Sequence, residues 1–463
     1  MEPSETKPTL APVLGLREGI SIHIGNIIGS GIFIVPAIMA ARLHSLGIIL
    51  IAWVLAGMLT LFGALTLAEL SSILPQAGGP YIYLREGFGR IWGFLFSWND
   101  FFINKSGSAA ALAVAFATYL GFFFPAFSPD HTPLLAHTWI LAGHALHFTL
   151  GWNQLMAMGV IGVVTFINCV NVRFSGWVMN FFTAAKVGAI LLLILGALFC
   201  GKGSLANMGP WWPQKWTSDL LPAFGLAMIS TLWAYDGWSA VTLTAGEIHE
   251  PEKNVPRSLV LGTLIVIGLY LAVNLAYAYI IPVREMAGSP RIAADVAYRM
   301  MGPVGASLIA VAIMCSTFGT TNGELLTGPR TVFAAGNDGA FSKRFGKVHP
   351  RFKTPYVAVL AMGIWSALLT LSGTFEQITA YVVFGSWWFY ALTALAVIAL
   401  RKKLPNAPRP YRAWGYPWAT LAFVAVAGCF LVNTVFKDTR NALVGVLLIL
   451  VSLPFYAYWT RRK

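Results

Sequence analysis

Charge is scarce in this chain of 463 residues, of which Asp, Glu, Lys and Arg make up only 11%. A soluble domain carries about 25%, so a soluble fold of this size is excluded for want of polar surface. Cysteine is scarce as well. Cys169, Cys200, Cys315 and Cys429 lie in or at the ends of apolar segments. They show neither metal-ligand spacing nor a disulfide framework, and read as small buried hydrophobes. Catalytic signatures are missing: no His-Glu-x-x-His, no nucleophile elbow and no phosphate loop ending in Gly-Lys-Ser/Thr. Gly29-Ser30-Gly31 has the glycines of such a loop but sits inside an apolar run without the lysine. Neither an enzyme, a cofactor nor a metal is expected. The opening MEPSETKPTLAPVLG lacks the basic start and cleavage site of a signal peptide. The N-terminus is expected to be retained and cytoplasmic.

What the chain has instead is apolar length, with 57% hydrophobic residues and a mean hydropathy of +0.69. A bilayer span needs about 20 mostly apolar residues, which leaves room for about a dozen. Hydrophobic segments fall near 16–41, 46–73, 90–124, 152–171, 176–200 and 221–246. A second set follows near 257–281, 304–335, 355–372, 376–400, 415–436 and 441–460. The expected fold is an all-α polytopic membrane protein with twelve transmembrane helices.

The net charge of +13 does not indicate nucleic acid, because the bases lie between hydrophobic runs rather than along one soluble face. With the N-terminus inside, 21 Lys and Arg fall in cytoplasmic segments and eight in outer ones, while Lys105 and Lys186 sit within spans. That bias favours both termini inside, as an even number of spans requires.

Two spans carry interruptions. The first contains Gly25-Asn26-Ile27-Ile28-Gly29-Ser30-Gly31-Ile32-Phe33. Glycine disfavours helix by about 1 kcal/mol relative to alanine, although in membranes it also permits close helix packing. Backbone left unpaired at lipid depth persists only where it lines a polar cavity. The sixth span contains Trp233-Ala234-Tyr235-Asp236-Gly237-Trp238-Ser239, with an ionisable residue at mid-span; such a residue marks a functional site or pairs with a neighbouring base. The interruptions lie five spans apart, the spacing of two inverted repeats with a substrate between broken helices. Free N–H groups of Gly29, Ser30 and Gly31 suit a carboxylate. Carbonyls of Ile27, Trp233 and Asp236 suit an ammonium. Together these are the two charges of an α-amino acid.

These residues resemble the amino acid–polyamine–organocation superfamily, and within it a prokaryotic member of the L-amino-acid transporter family. The resemblance runs over nearly the whole chain. It rests on the Gly29-Ser-Gly-Ile-Phe33 segment, Ala68-Glu69-Leu70, Gly78-Gly79-Pro80-Tyr81 and Trp233-Ala-Tyr-Asp-Gly-Trp238. Further along are Gly246-Glu247-Ile248, Asn254-Val-Pro-Arg257, Asn322-Gly323, Arg330 and the stretch Arg409–Pro417.

The resemblance implies a five-plus-five inverted-repeat core and amino-acid transport by alternating access in a prokaryotic plasma membrane. The expected organisation is a tail at 1–15, repeats at 16–200 and 201–400, and two further spans at 401–463. It makes Trp233 the gate over the substrate. Lys186 takes the place where sodium-coupled relatives bind an ion, so sodium independence is expected; a buried lysine can also lose its proton, which leaves proton coupling open. Asp236, Ser239, Phe384, Ser386 and Trp387 are the candidates for side-chain contacts. Lys105, beside Asn99, Asp100 and Asn104, suits a structural pairing better than a substrate contact. His23 reads as a pH sensor or as a hydrogen-bonded core residue. Animal relatives carry a cysteine between spans three and four that bonds a glycoprotein partner. The stretch 122–151 has none, so no disulfide-linked heavy subunit is expected. The leading expectation is a sodium-independent exchanger of L-amino acids; a proton-coupled symporter on the same fold is the alternative, and a channel or sensor is a different class.

Overall fold

The computed structural model describes residues 10–128, 131–141, 144–213, 215–289, 291–371, 375–437 and 439–461, with backbone alone for 138–141, 144–149, 375–384 and a few positions after 433. Six uninterrupted helical stretches among them are long and apolar enough to cross a membrane. They are Leu46–Ile73 (span two), Arg90–Leu120 (three), Trp152–Val170 (four), Val172–Phe199 (five), Pro251–Ile280 (seven) and Pro303–Asn337 (eight). Span one comes in two pieces, Leu16–Ile27 and Val35–Leu43, and span six in Leu220–Ala234 and Ala240–Leu243. Tyr356–Leu369, Phe375–Lys403 and Trp418–Lys437 form spans nine to eleven; Thr439–Leu450 with Ser452–Arg461 forms span twelve. Starts are set by local chemistry. Prolines 80, 251 and 303 open helices where the missing N–H has no partner to lose. Asn171 ends span four and caps span five by accepting from the Phe174 N–H at 3.2 Å.

Two differences from the expected elements are local. An antiparallel hairpin of Leu135–Leu141 and His144–Leu150 stands between spans three and four, with Leu135 opposite Leu150. Its seven-residue strands are too short to cross a bilayer and include Thr, Trp, Ile and Phe, which suit a pleated surface. Span three also widens into a π turn at Asp100–Asn104, which the apolar pattern does not reveal.

Span seven packs against spans one and two, and span eight against spans three and five. Large apolar side chains such as Phe166, Trp177, Phe181 and Phe199 point outward from spans four and five, as lipid-facing surfaces do. One end of the bundle is held by ion pairs. Arg330 grips Glu247 through Nε (2.7 Å) and a terminal nitrogen (2.9 Å), both residues fully buried. Glu69 accepts from Arg401 at 2.8 and 2.7 Å and from the Ala413 N–H at 2.7 Å. Asp338 accepts from Arg85 and, at 3.0 Å, from the Tyr81 hydroxyl. Burial, then the Asp338 charge, pushes that hydroxyl well above its ordinary pKa, so it remains a donor. Leu14 is strapped to the end of span six, its N–H and that of Val13 both donating to the Glu247 carbonyl at 2.9 Å.

Candidate substrate site

The helix of span one stops at Ile27 because two glycines, an asparagine and a serine meet there and because other groups take over its freed carbonyls. Lys186 of span five donates from Nζ to the carbonyls of Gly25 and Ile28 and to Thr320 Oγ1, each at 2.8 Å. Thr320 donates to the Gly25 carbonyl at 3.1 Å, and Ser316 to that of Ile28 at 3.2 Å. Three ammonium protons thus meet three acceptors. Beyond the break the Gly29 N–H donates to the Ile27 carbonyl at 2.9 Å, whereas those of Ser30 and Gly31 find no backbone acceptor among the described residues.

Span six unwinds after Ala234. The Tyr270 hydroxyl lies 3.0 Å from the Ala234 carbonyl and 3.3 Å from that of Ile27, so one side chain of span seven touches both breaks. Gly237 turns the chain at φ +91°, where a Cβ would stand 2.6 Å from the Asn26 carbonyl oxygen. Only glycine allows that approach. Asp236 is held by the Tyr390 hydroxyl, which donates to its Oδ1 at 2.7 Å.

Between the two breaks lies a cavity of about 70 Å³. Of the residues expected from sequence, Ile27, Gly29, Ser30, Gly31, Trp233 and Asp236 all line it. The free N–H groups are those of Ser30 and Gly31, while Gly29 has given its own away. The carbonyls of Ile27 and Trp233 already accept from Gly29 and Asp236 respectively, and that of Asp236 receives no backbone N–H among the described residues.

Other candidates stand apart from the cavity. Ser239 is buried against the short helix that follows and is not in the lining. Ser386 is buried outside the cavity as well. Trp387 stacks toward span eleven, its ring 5.0 Å from Phe430 and 6.1 Å from Phe423. The physical reason is helix phase, since neither break fixes which face of span ten turns inward. The side chain of Phe384 lies outside the described residues. His23 hydrogen-bonds Thr263 of span seven at 2.9 Å and lines no part of the cavity.

Sequence reasoning missed Asn26, Ser108, Thr320 and Glu324, all in the lining. Glu324 had a signal, being an ionisable residue inside an apolar span. Its Oε2 pairs with Lys105 Nζ at 2.7 Å, the structural pairing expected of that lysine.

Gly29 offers a graded test of the cavity. A Cβ there would meet only Leu112 Cδ2, at 4.0 Å, so Gly29→Ala folds and simply narrows the space. Crowding of this kind costs about 1–3 kcal/mol. An occupant that fills the cavity is expected to lose at least about fivefold in affinity while a smaller one is spared, as read from competition assays on the variant.

Two interrupted helices facing each other across a small cavity lined by backbone and side-chain polar groups, in a bundle of apolar spans, mark a secondary transporter. A family model described as amino acid permease matches residues 14–454, and the chain belongs to that family. It is 31% identical over 459 residues to the serine/threonine exchanger SteT of Bacillus subtilis, covering 97% of each chain. It is 29% identical over 466 residues to the human b(0,+)-type amino acid transporter 1, covering 100% of this chain and 90% of the other. Against the human large neutral amino acids transporter small subunit 2 it is 30% identical over 458 residues, covering 97% and 81%. The protein is therefore a multi-pass membrane transporter of the L-amino-acid transporter branch and not an enzyme.

Proposed function

We propose that this protein exchanges small L-amino acids across a prokaryotic plasma membrane, without sodium and by alternating access. The observation that carries the reading is the pair of unpaired N–H groups at Ser30 and Gly31, set in one cavity with the Asp236 carbonyl and the Trp233 ring. The N–H groups receive the substrate carboxylate; the Asp236 backbone faces its ammonium, and Trp233 closes over it. The cavity sets the size. At about 10–15 Å³ for each water-sized group, 70 Å³ holds roughly five to seven heavy atoms. An amino acid main chain needs five, which leaves at most two for a side chain such as that of alanine or serine. That SteT is a serine/threonine exchanger agrees with this size for serine, while threonine, with one heavy atom more, slightly exceeds it.

Lys186 supports sodium independence, because its ammonium already satisfies the carbonyls that a cation would otherwise hold. Both termini are proposed to be cytoplasmic, with repeats over 16–200 and 201–400 and no disulfide-linked subunit. The test is uptake of labelled L-serine into liposomes containing the purified protein. Uptake only when the lumen holds unlabelled serine, and equal in sodium and potassium buffers, is the expected result. Accumulation in empty liposomes driven by a sodium or proton gradient would overturn exchange.

A further inference from the structure

Beside the cavity, and partly in its wall, lies a charged cluster whose side chains the proposed substrate contacts do not use. The π turn of span three rotates Asp100 toward Lys105, with the Lys105 N–H donating to the Asp100 carbonyl. In a regular helix, residues five apart point about 140° away from each other. Lys105 pairs with Glu324 at 2.7 Å and lies within electrostatic reach of Asp100 and Asp236 as well. One ammonium, paired to Glu324, thus also serves the fields of two further carboxylates. Lys186, the other lysine of the membrane interior, is spent on uncharged oxygens of spans one and eight.

The three carboxylates are not equally compensated. Glu324 has Lys105, and Asp236 has the Tyr390 hydroxyl. Asp100, 1% exposed, has neutral hydrogen-bond partners alone: the Asn104 amide donates at 3.1 Å, and the Thr331 hydroxyl lies beside it. Asn99, next to it, is equally buried with both amide atoms unpartnered. Asn26 Oδ1, 4% exposed for its residue and also unpartnered, belongs to the lining of the cavity that Glu324 and Asp236 share. Span eight adds the neutral Thr331, span ten brings the titratable Tyr390 hydroxyl within electrostatic reach of Asp100, and span nine contributes no charge, its Trp365 donating to the Phe102 carbonyl. Excess negative charge at lipid depth is costly unless neutralised. A second cation from the substrate does not fit, because a lysine or arginine side chain exceeds the space left after the main chain.

We propose that this cluster is a proton-binding site, with Asp100 holding the proton, and that it makes substrate affinity depend on pH. It rests on the exchange function proposed above. The proton comes from water in the cavity and returns to it. With Asp100 ionised, its uncompensated charge opposes a carboxylate arriving at Ser30 and Gly31; with Asp100 protonated, that opposition is gone. Affinity therefore falls as pH rises through the midpoint, by up to about tenfold per pH unit. By reciprocity, substrate binding draws a proton in.

Two measurements test this. Potentiometric titration of the purified protein from about pH 5 to pH 9 needs no transport, and the wild type is expected to release one more proton than Asp100→Asn. In liposomes, the KM for serine is expected to rise at least about fivefold from the acid to the alkaline end for the wild type and to stay flat for Asp100→Asn. Should Asp100→Asn fail to fold, Glu324→Gln frees Lys105 to neutralise Asp100 and is expected to flatten the profile too. Equal titration counts, or a variant profile that keeps the wild-type slope, would overturn the proton site. So would strong competition by lysine at every pH, which would assign the excess charge to a cationic substrate. Wild-type protein that titrates as expected but exchanges no serine at any pH would overturn the exchange reading alone.

Discussion

Gly237→Ala is expected to reduce exchange at least about a hundredfold while the protein still inserts as a helical bundle. At φ +91° any side chain is strained, by about 1–3 kcal/mol. The larger effect is positional. The new Cβ would lie 2.6 Å from the Asn26 carbonyl oxygen and 2.8 Å from its carbon, both backbone atoms that cannot swing aside. Gly237 is where the break of span six rests against that of span one, so relief requires the half-helices to separate. The N–H groups at Ser30 and Gly31 would then no longer face Asp236. Serine exchange in liposomes, with helicity and elution volume as controls for folding, measures the effect. Wild-type exchange would remove this contact from the site.

Lys186→Met is expected to have an effect of similar size for a different reason. The side chain is fully buried and joins spans five, one and eight through three hydrogen bonds. Bonds to charged groups are worth about 1.5–3 kcal/mol each, and methionine fills the volume while making none. The Gly25 and Ile28 carbonyls would be left with the hydroxyls of Thr320 and Ser316. Exchange should fall at least about a hundredfold and the melting temperature should drop. The slope of any residual activity with pH should persist, because the proton site proposed here lies around Asp100. Wild-type rates would dismiss the staple; a flattened profile would return proton coupling to Lys186.

Both residues could be picked out in the sequence, but for different amounts of what they do. Gly237 is visible as a glycine beside an aspartate at mid-span; that it touches Asn26 follows only from bringing two segments more than two hundred residues apart into contact. Lys186 is visible as a charge with apolar runs on both sides, and its burial follows from that alone. Which oxygens receive it does not. Glu324 carried the same signal but was hidden among the small residues of Asn322-Gly323, and its importance emerges only with Lys105 opposite. Ser239 and Trp387 fail as cavity residues because rotation about a helix axis is set by neighbouring helices, not by the helix itself.

By itself the sequence determined that the chain is a bundle of membrane helices with two of them broken. Apolar length and scarce charge decide the solvent, and glycine and ionisable residues at lipid depth decide where a helix cannot continue. Both are local properties of a segment and its surroundings. The tertiary structure alone decided how large the cavity is, which backbone groups remain free inside it, and which buried charges balance one another. Those depend on distances between spans that share no sequence neighbourhood, where a shift of one ångström makes or removes a hydrogen bond.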